Sequence, residues 1–248
     1  MKRALRRLVC AAALAALGAT AAGATCRQAL ALGLDVSGSV DAREYRLQAD
    51  GLAAALLDPQ VQAAFLAYPG APVRLMIFEW SSLTHQRELS GWKEIHSAED
   101  LGEIATRLRA TRPAIVENPS TAIGAAMLYG AVALNAQSEC WQKTLDISGD
   151  GPANIGRHPR DITEAEMQGI TVNGLVIGPD SASNTTKNRE NMKSLLGYYR
   201  SYVLRGANAF TETAVTFEDF ETAMRRKLIR ELEPAAVSRL ERLGRDAQ

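Results

Sequence analysis

Three oxygen-bearing side chains occupy alternate positions in the segment Asp35-Val36-Ser37-Gly38-Ser39, which closes the nearly continuous apolar run Ala29 to Leu34. Residues two apart in extended backbone point the same way, and Gly38 lets the chain bend sharply without a steric penalty. One carboxylate and two hydroxyls can therefore converge on one point. Such hard oxygen donors suit Mg²⁺, with Mn²⁺ or Ca²⁺ as alternatives, whereas a zinc or copper site calls for His or Cys. The competing reading is a polar turn from strand to capped helix. Two further segments bear on the choice. Ser120-Thr121-Ala122-Ile123-Gly124 puts hydroxyls where a loop becomes a helix, and Ser148-Gly149-Asp150-Gly151 puts a second carboxylate at a strand end. Alone, a helix cap and a glycine turn explain them. Together, the three segments assemble a hydroxyl-rich shell with two carboxylates.

The elements that must position these groups alternate short apolar runs with longer amphipathic stretches, the pattern of an α/β domain with a mainly parallel sheet. Strands are expected at Ala29–Leu34, Val73–Phe78, Lys143–Ser148, Thr171–Ile177 and Ala209–Val215, with Leu83–Leu89 returning as an antiparallel edge. Helices are expected from Asp41 to Asp58-Pro59, from Ser97 to Ala110, from Thr121 to Asn135, near Thr163–Gln168, from Thr186 to Tyr199, and after a Thr216 cap. The predicted architecture is a three-layer, doubly wound, mostly parallel six-stranded sheet with one antiparallel edge strand. Ligands of such sheets sit beyond the carboxyl ends of the strands, where the strand order reverses. Asp35 and Asp150 follow two of those ends.

The amino terminus carries Lys2, Arg3, Arg6 and Arg7, then an apolar run to about Ala22 and the small residues Ala22-Gly23-Ala24. This reads as a signal peptide over residues 1–24, with a retained anchor as the alternative. Residues 25–233 then form the domain and 234–248 a charged tail. The full chain has 28 basic and 28 acidic residues. Removing 1–24 takes four basic residues and no acidic one, so the remainder is net acidic. That argues against nucleic acid or an anionic membrane surface as partner, and no later stretch is apolar enough for stable insertion in a bilayer. Periplasmic or secreted placement follows, and there Cys26 and Cys140 are a disulfide candidate. His85, His96 and His158 form no motif, Trp80, Trp92 and Trp141 read as packing residues, and Glu79 reads as a salt-bridge residue near the crevice.

The triad Asp35-Ser37-Ser39, a threonine opening a mid-chain helix and an aspartate after the fourth strand resemble the metal-ion-dependent adhesion site of von Willebrand factor A domains. Leu34-Asp35-Val36-Ser37-Gly38-Ser39-Val40, Phe78-Glu79-Trp80-Ser81 and Asp146-Ile147-Ser148-Gly149-Asp150-Gly151 resemble more narrowly a family of exported bacterial A-like proteins. The resemblance implies direct metal binding by Ser37 and Ser39, binding by Thr121 directly or through water, and action of Asp35 and Asp150 mainly through water or hydrogen bonds. Ser120 could stand in for Thr121, while Gly38 and Gly149 support the loops. It also implies that the first and fourth strands lie side by side and parallel, which puts Cys26 and Cys140 together at the opposite end.

The function so implied is non-enzymatic: an exported module that recognises a protein partner, whose acidic side chain completes the coordination of the cation. A Mg²⁺-dependent hydrolase or phosphotransferase using Asp35 is the first alternative. It lacks a second aspartate at Ser37 and a basic phosphate clamp, and Ser39-Val40 replaces the Lys-Ser/Thr of a phosphate loop. A structural A-like domain with a non-functional metal site is the second.

Overall fold

Apolar runs become buried strands because only a sheet covered on both faces can hide residues of either parity. In the computed structural model, which describes residues 26–178 and 186–233, this gives β1 (Gln28–Asp35), β2 (Val73–Trp80), β3 (Gln86–Ile95), β4 (Gln142–Gly149), β5 (Ile170–Ile177) and β6 (Thr211–Ala214). The signal segment 1–24 and the tail 234–248 lie outside the described residues. The sheet order is β3-β2-β1-β4-β5-β6. All neighbours pair in parallel except β2 and β3, which are antiparallel. The expected mixed sheet and the expected β1–β4 neighbourhood are both present.

Alternation along β1 divides the core. Leu30, Leu32 and Leu34 face a layer built from α1 (Ala42–Leu57), α2 (Pro59–Leu66), α3 (Ala98–Ala110) and α6 (Phe220–Leu232). Ala29 and Ala31 face α4 (Ile123–Asn135), α5 (Thr186–Tyr198) and a π-helical turn at Tyr199–Val203. Among the described residues no helix is long and apolar enough to cross a membrane.

The first helix ends where expected, with Asp58 as its cap. Two local expectations are corrected, and one helix is added: Pro59 opens α2, with the Asp58 side chain accepting from the Gln60 and Val61 amides; proline at the first helical position lacks only a hydrogen that would be unpaired there. Residues 163–168 form no α-helix but a turn, ended by Gly169 at φ +75°. β3 runs on to Ile95 rather than stopping at Leu89.

Two features brace the core. A disulfide joins Cys26 to Cys140, just ahead of β1 and β4, and Trp141, which is exposed, donates its amide to the Cys26 carbonyl (3.0 Å). Between β4 and α6, Lys227 is fully enclosed. Its Nζ lies 2.8 Å from Asp146 Oδ2 and also bonds Glu231, one turn further along α6. Asn173 of β5 donates to the same Glu231 carboxylate (2.7 Å).

Candidate metal centre

The chain order runs outward from β1 through β2 to β3, then returns to β4 on β1's other side, so the order reverses between β1 and β4. Asp35 is the last residue of β1 and is fully buried, and Asp150 directly follows β4. The Val36 amide donates to the Trp80 carbonyl (2.9 Å) and the Gln48 side chain to the Asp35 carbonyl (3.0 Å), fixing the backbone where the strand ends. The chain then turns, with the Ser37 amide on Asp35 Oδ1 (2.7 Å) and the Val40 amide on the Ser37 carbonyl (2.9 Å). Asp41, with Glu44 in a reciprocal cap, starts α1.

A run of oxygens crosses the crevice. Ser37 Oγ is 3.3 Å from Ser39 Oγ, and Ser39 Oγ donates to Asp150 Oδ1 (2.8 Å). Asp35, Ser37, Ser39 and Asp150 thus form one connected set. Gly149 permits the closeness of the two strand ends, since a β-carbon there would lie 2.9 Å from Asp35 Oδ2.

The threonine loop abuts this set. A β-carbon on Gly38 would lie 3.1 Å from the Pro119 carbonyl, so the first loop and the residue before Ser120 are in contact. Asn154 clamps Thr121 from both sides: its Oδ1 accepts from the Thr121 amide (2.9 Å), and its own amide donates to the Thr121 carbonyl (3.0 Å). Ser81 anchors the same loop, accepting the Ala122 amide on its carbonyl (2.9 Å) and donating its hydroxyl to the Ser120 carbonyl (3.2 Å). Neither Ser120 nor Thr121 caps α4. That helix begins at Ile123, and its cap position, Ala122, makes no side-chain bond. The simple helix-cap explanation of these hydroxyls therefore fails. Ser120 Oγ is buried without a partner among the described residues, and no hydrogen bond joins the Thr121 hydroxyl to the other four residues.

The electrostatics point the same way. Burial first, and the charge of Asp150 second, push the Asp35 carboxyl up to about 8, against the opposing pull of the Ser37 bonds. Burial also raises Asp150, with the Ser39 hydroxyl opposing. Among the described residues neither carboxylate is paired with a Lys or Arg, and Asp35 Oδ2 is buried without a partner. Two close carboxylates without a counter-charge, rimmed by hydroxyls, fit a hard divalent cation.

Glu79 is accounted for otherwise. It is fully buried and accepts from Arg87 Nε (2.9 Å), Arg87 Nη2 (3.0 Å) and Tyr45 Oη (3.1 Å), with His85 Nε2 at 2.9 Å. The salt-bridge reading is right. The sequence assigned no role to Asn154, Ser81, Gln48 or Tyr199. All four act through backbone contacts or long-range packing, which no short spacing encodes.

A model of a family described as proteins of unknown function (DUF1194) matches residues 25–236. Among curated proteins, none matches the chain. Proximal thread matrix protein 1 from the mussel byssus is similar in structure at TM-score 0.53 and 15% identity, over 84% of this chain and 47% of that one. The pilus adhesin SpaC from Lactobacillus rhamnosus GG gives 0.53 and 15%, over 84% of this chain and 31% of that one. The von Willebrand factor domain of the type V pili tip protein Mfa5 from Porphyromonas gingivalis gives 0.51 and 12%, over 85% and 98%. This chain spans about half the length of the mussel protein and under a third of SpaC. What the likeness establishes is the fold, that of von Willebrand factor A domains.

Proposed function

We propose that this chain, which belongs to the DUF1194 family, is a cation-dependent protein-binding module. The observation that carries the reading is the connected set Asp35, Ser37, Ser39 and Asp150 at the sheet's switch point, with its two uncompensated carboxylates. Ser37 and Ser39 would hold the cation directly, Thr121 directly or through water, and Asp35 and Asp150 through water or hydrogen bonds. When bound, a divalent cation, most readily Mg²⁺, supplies an electrophilic centre that takes an additional oxygen ligand. Neutral hydroxyls donate little charge to it, so an acidic side chain from a partner protein is a favourable last ligand. This chain's own part is to hold its donors in place. The Asn154 clamp and Ser81 fix the threonine loop, and Gly149 lets the strand ends close. SpaC is a pilus adhesin and Mfa5 a pilus tip protein, which supports an adhesive rather than an enzymatic role. No specific observation favours the hydrolase or the non-functional site.

Export to the periplasm or beyond, with cleavage near Ala24, belongs to the same reading and is supported by the Cys26–Cys140 bond, since disulfides persist in oxidising compartments. Calorimetric titration of chelator-treated protein with Mg²⁺, Mn²⁺ and Ca²⁺ tests the site. Binding lost on Asp35→Ala is expected, and no binding of any of the three to the unaltered chain would sink the reading. Affinity capture with and without chelator then tests for the partner.

A further inference from the structure

Three buried side chains meet around Gly149. Asp35 Oδ2, Tyr199 Oη and Trp80 Nε1 are each enclosed, and each lacks a hydrogen-bond partner among the described residues. A β-carbon on Gly149 would lie 2.5 Å from Tyr199 Oη, 2.9 Å from Asp35 Oδ2 and 3.5 Å from Trp80 Cζ2. In the indole ring, Cζ2 is bonded to the carbon that carries Nε1, so the ring edge that bears the N–H borders the point where Tyr199 Oη and Asp35 Oδ2 meet. Their chemistry is complementary: the indole N–H and the phenol O–H donate, and the carboxylate oxygen accepts. Unpaired buried polar groups are costly, and a cluster of two donors and one acceptor has a use for each.

The placement of Tyr199 is itself built. The residue opens the π-helical turn, closed by the Leu204 amide on the Tyr199 carbonyl (3.0 Å). Its ring lies over Gly174 of β5, where a β-carbon would come within 2.7 Å of Cδ1. Glycines in two adjacent strands, Gly149 and Gly174, thus clear room for one tyrosine. Single π turns are rare and gather at functional sites. Trp80 is set by strand register, directly opposite Asp35.

We infer that Tyr199 and Trp80 are positioning residues of the metal centre, whose O–H and N–H, unpaired among the described residues, donate to the inner oxygen of Asp35 once the cation is bound. The other oxygen stays on the Ser37 amide, so the carboxylate keeps one orientation toward the serines. The inference rests on the cation reading above. It extends the site to the end of α5, an element that supplies none of the proposed ligands. Groups that orient a ligand from behind commonly change metal affinity by roughly 10–100-fold when removed.

The test is a calorimetric titration of the full chain with Mn²⁺, joined to the electron paramagnetic resonance spectrum of the bound ion. Tyr199→Phe keeps the ring over Gly174 and removes only the hydroxyl. It is expected to bind roughly 10–100-fold more weakly, with an altered Mn²⁺ spectrum and a metal-free melting midpoint no lower than before. Trp80→Phe should shift affinity in the same direction. Tyr129→Phe, whose hydroxyl bonds Glu88 away from the site, should bind as the unaltered chain does. Equal affinity and an identical spectrum for Tyr199→Phe would overturn this inference and leave the cation reading standing. Failure of the unaltered chain to bind Mn²⁺ would overturn both.

Discussion

Replacing Lys227 or Asp146 probes the charges sealed between β4 and α6. The groups involved are Lys227 and Glu231 on α6, Asp146 on β4 and the neutral Asn173 on β5, with Lys227 Nζ also 5.1 Å from the Phe210 ring. Burial lowers Lys227, but the two carboxylates outweigh it and hold the ammonium above its ordinary value. Burial first, with Glu231 adding and Lys227 opposing, pushes Asp146 up to about 7. One cation faces two carboxylates, and Asp146 is the group that takes up a proton. Its folded-state value lies above its unfolded one of about 4. Its contribution to stability is therefore complete below about pH 4 and lost as pH rises through about 7. Between about pH 8 and pH 5 this amounts to roughly 2–3 kcal/mol of added stability. Urea unfolding followed by tryptophan fluorescence, in chelator and at several pH values, measures it. Asp146→Asn should flatten the profile by that amount, and groups that titrate in both proteins cancel in the difference. Lys227→Met leaves two carboxylates without a cation and should cost roughly 3–5 kcal/mol near pH 8, with a smaller loss near pH 5. Parallel profiles for the unaltered chain and Asp146→Asn would refute the reasoning.

Removing the disulfide with Cys26→Ser and Cys140→Ser opens a link spanning 114 residues. The expected loss is about 4–5 kcal/mol in the chain-entropy model, read as a lower melting midpoint that reductant reproduces in the unaltered chain. Gly149→Ala drives a methyl group into Asp35 Oδ2 and Tyr199 Oη. It should cost about 1–3 kcal/mol and abolish cation binding, and calorimetric binding at full affinity would contradict this. Asn154→Ala frees the Thr121 amide. Weaker Mg²⁺ binding with a stability loss of about 1–3 kcal/mol is expected; calorimetry and urea unfolding of the same sample check both.

The central strands were legible because each announces itself as an apolar run and because aspartates follow two of those runs, whereas the placing of β1 beside β4 came from the resemblance. The site's backbone followed from the same ends. What escaped has identifiable physical causes. Pro59 marks the end of α1 as read, but it also sits at a permitted first helical position and so begins α2. The 163–168 segment has good local capping, Thr163 with Glu166, yet a left-handed Gly169 closes it after one turn. Lys227 lies in a run of charged residues that reads as a solvated face, and only the packing of α6 on β4 and β5 reveals it as interior. Tyr199 escaped because a π turn shifts the helical register by one residue. Asn154 follows a glycine and a proline in a loop, and its partner is 33 residues earlier.

The bond between Cys26 and Cys140 also has a mechanical meaning. A pull on the amino end enters the described fold at Cys26, and the covalent link passes that tension to the start of β4 at once. β1 and β4 are parallel and are loaded at the same end, so neither can be peeled from the other at its anchored edge. The tension bypasses the hydrogen-bond ladder between the two central strands. The loops that carry Asp35 and Asp150, at the far end of those strands, would keep their spacing under load.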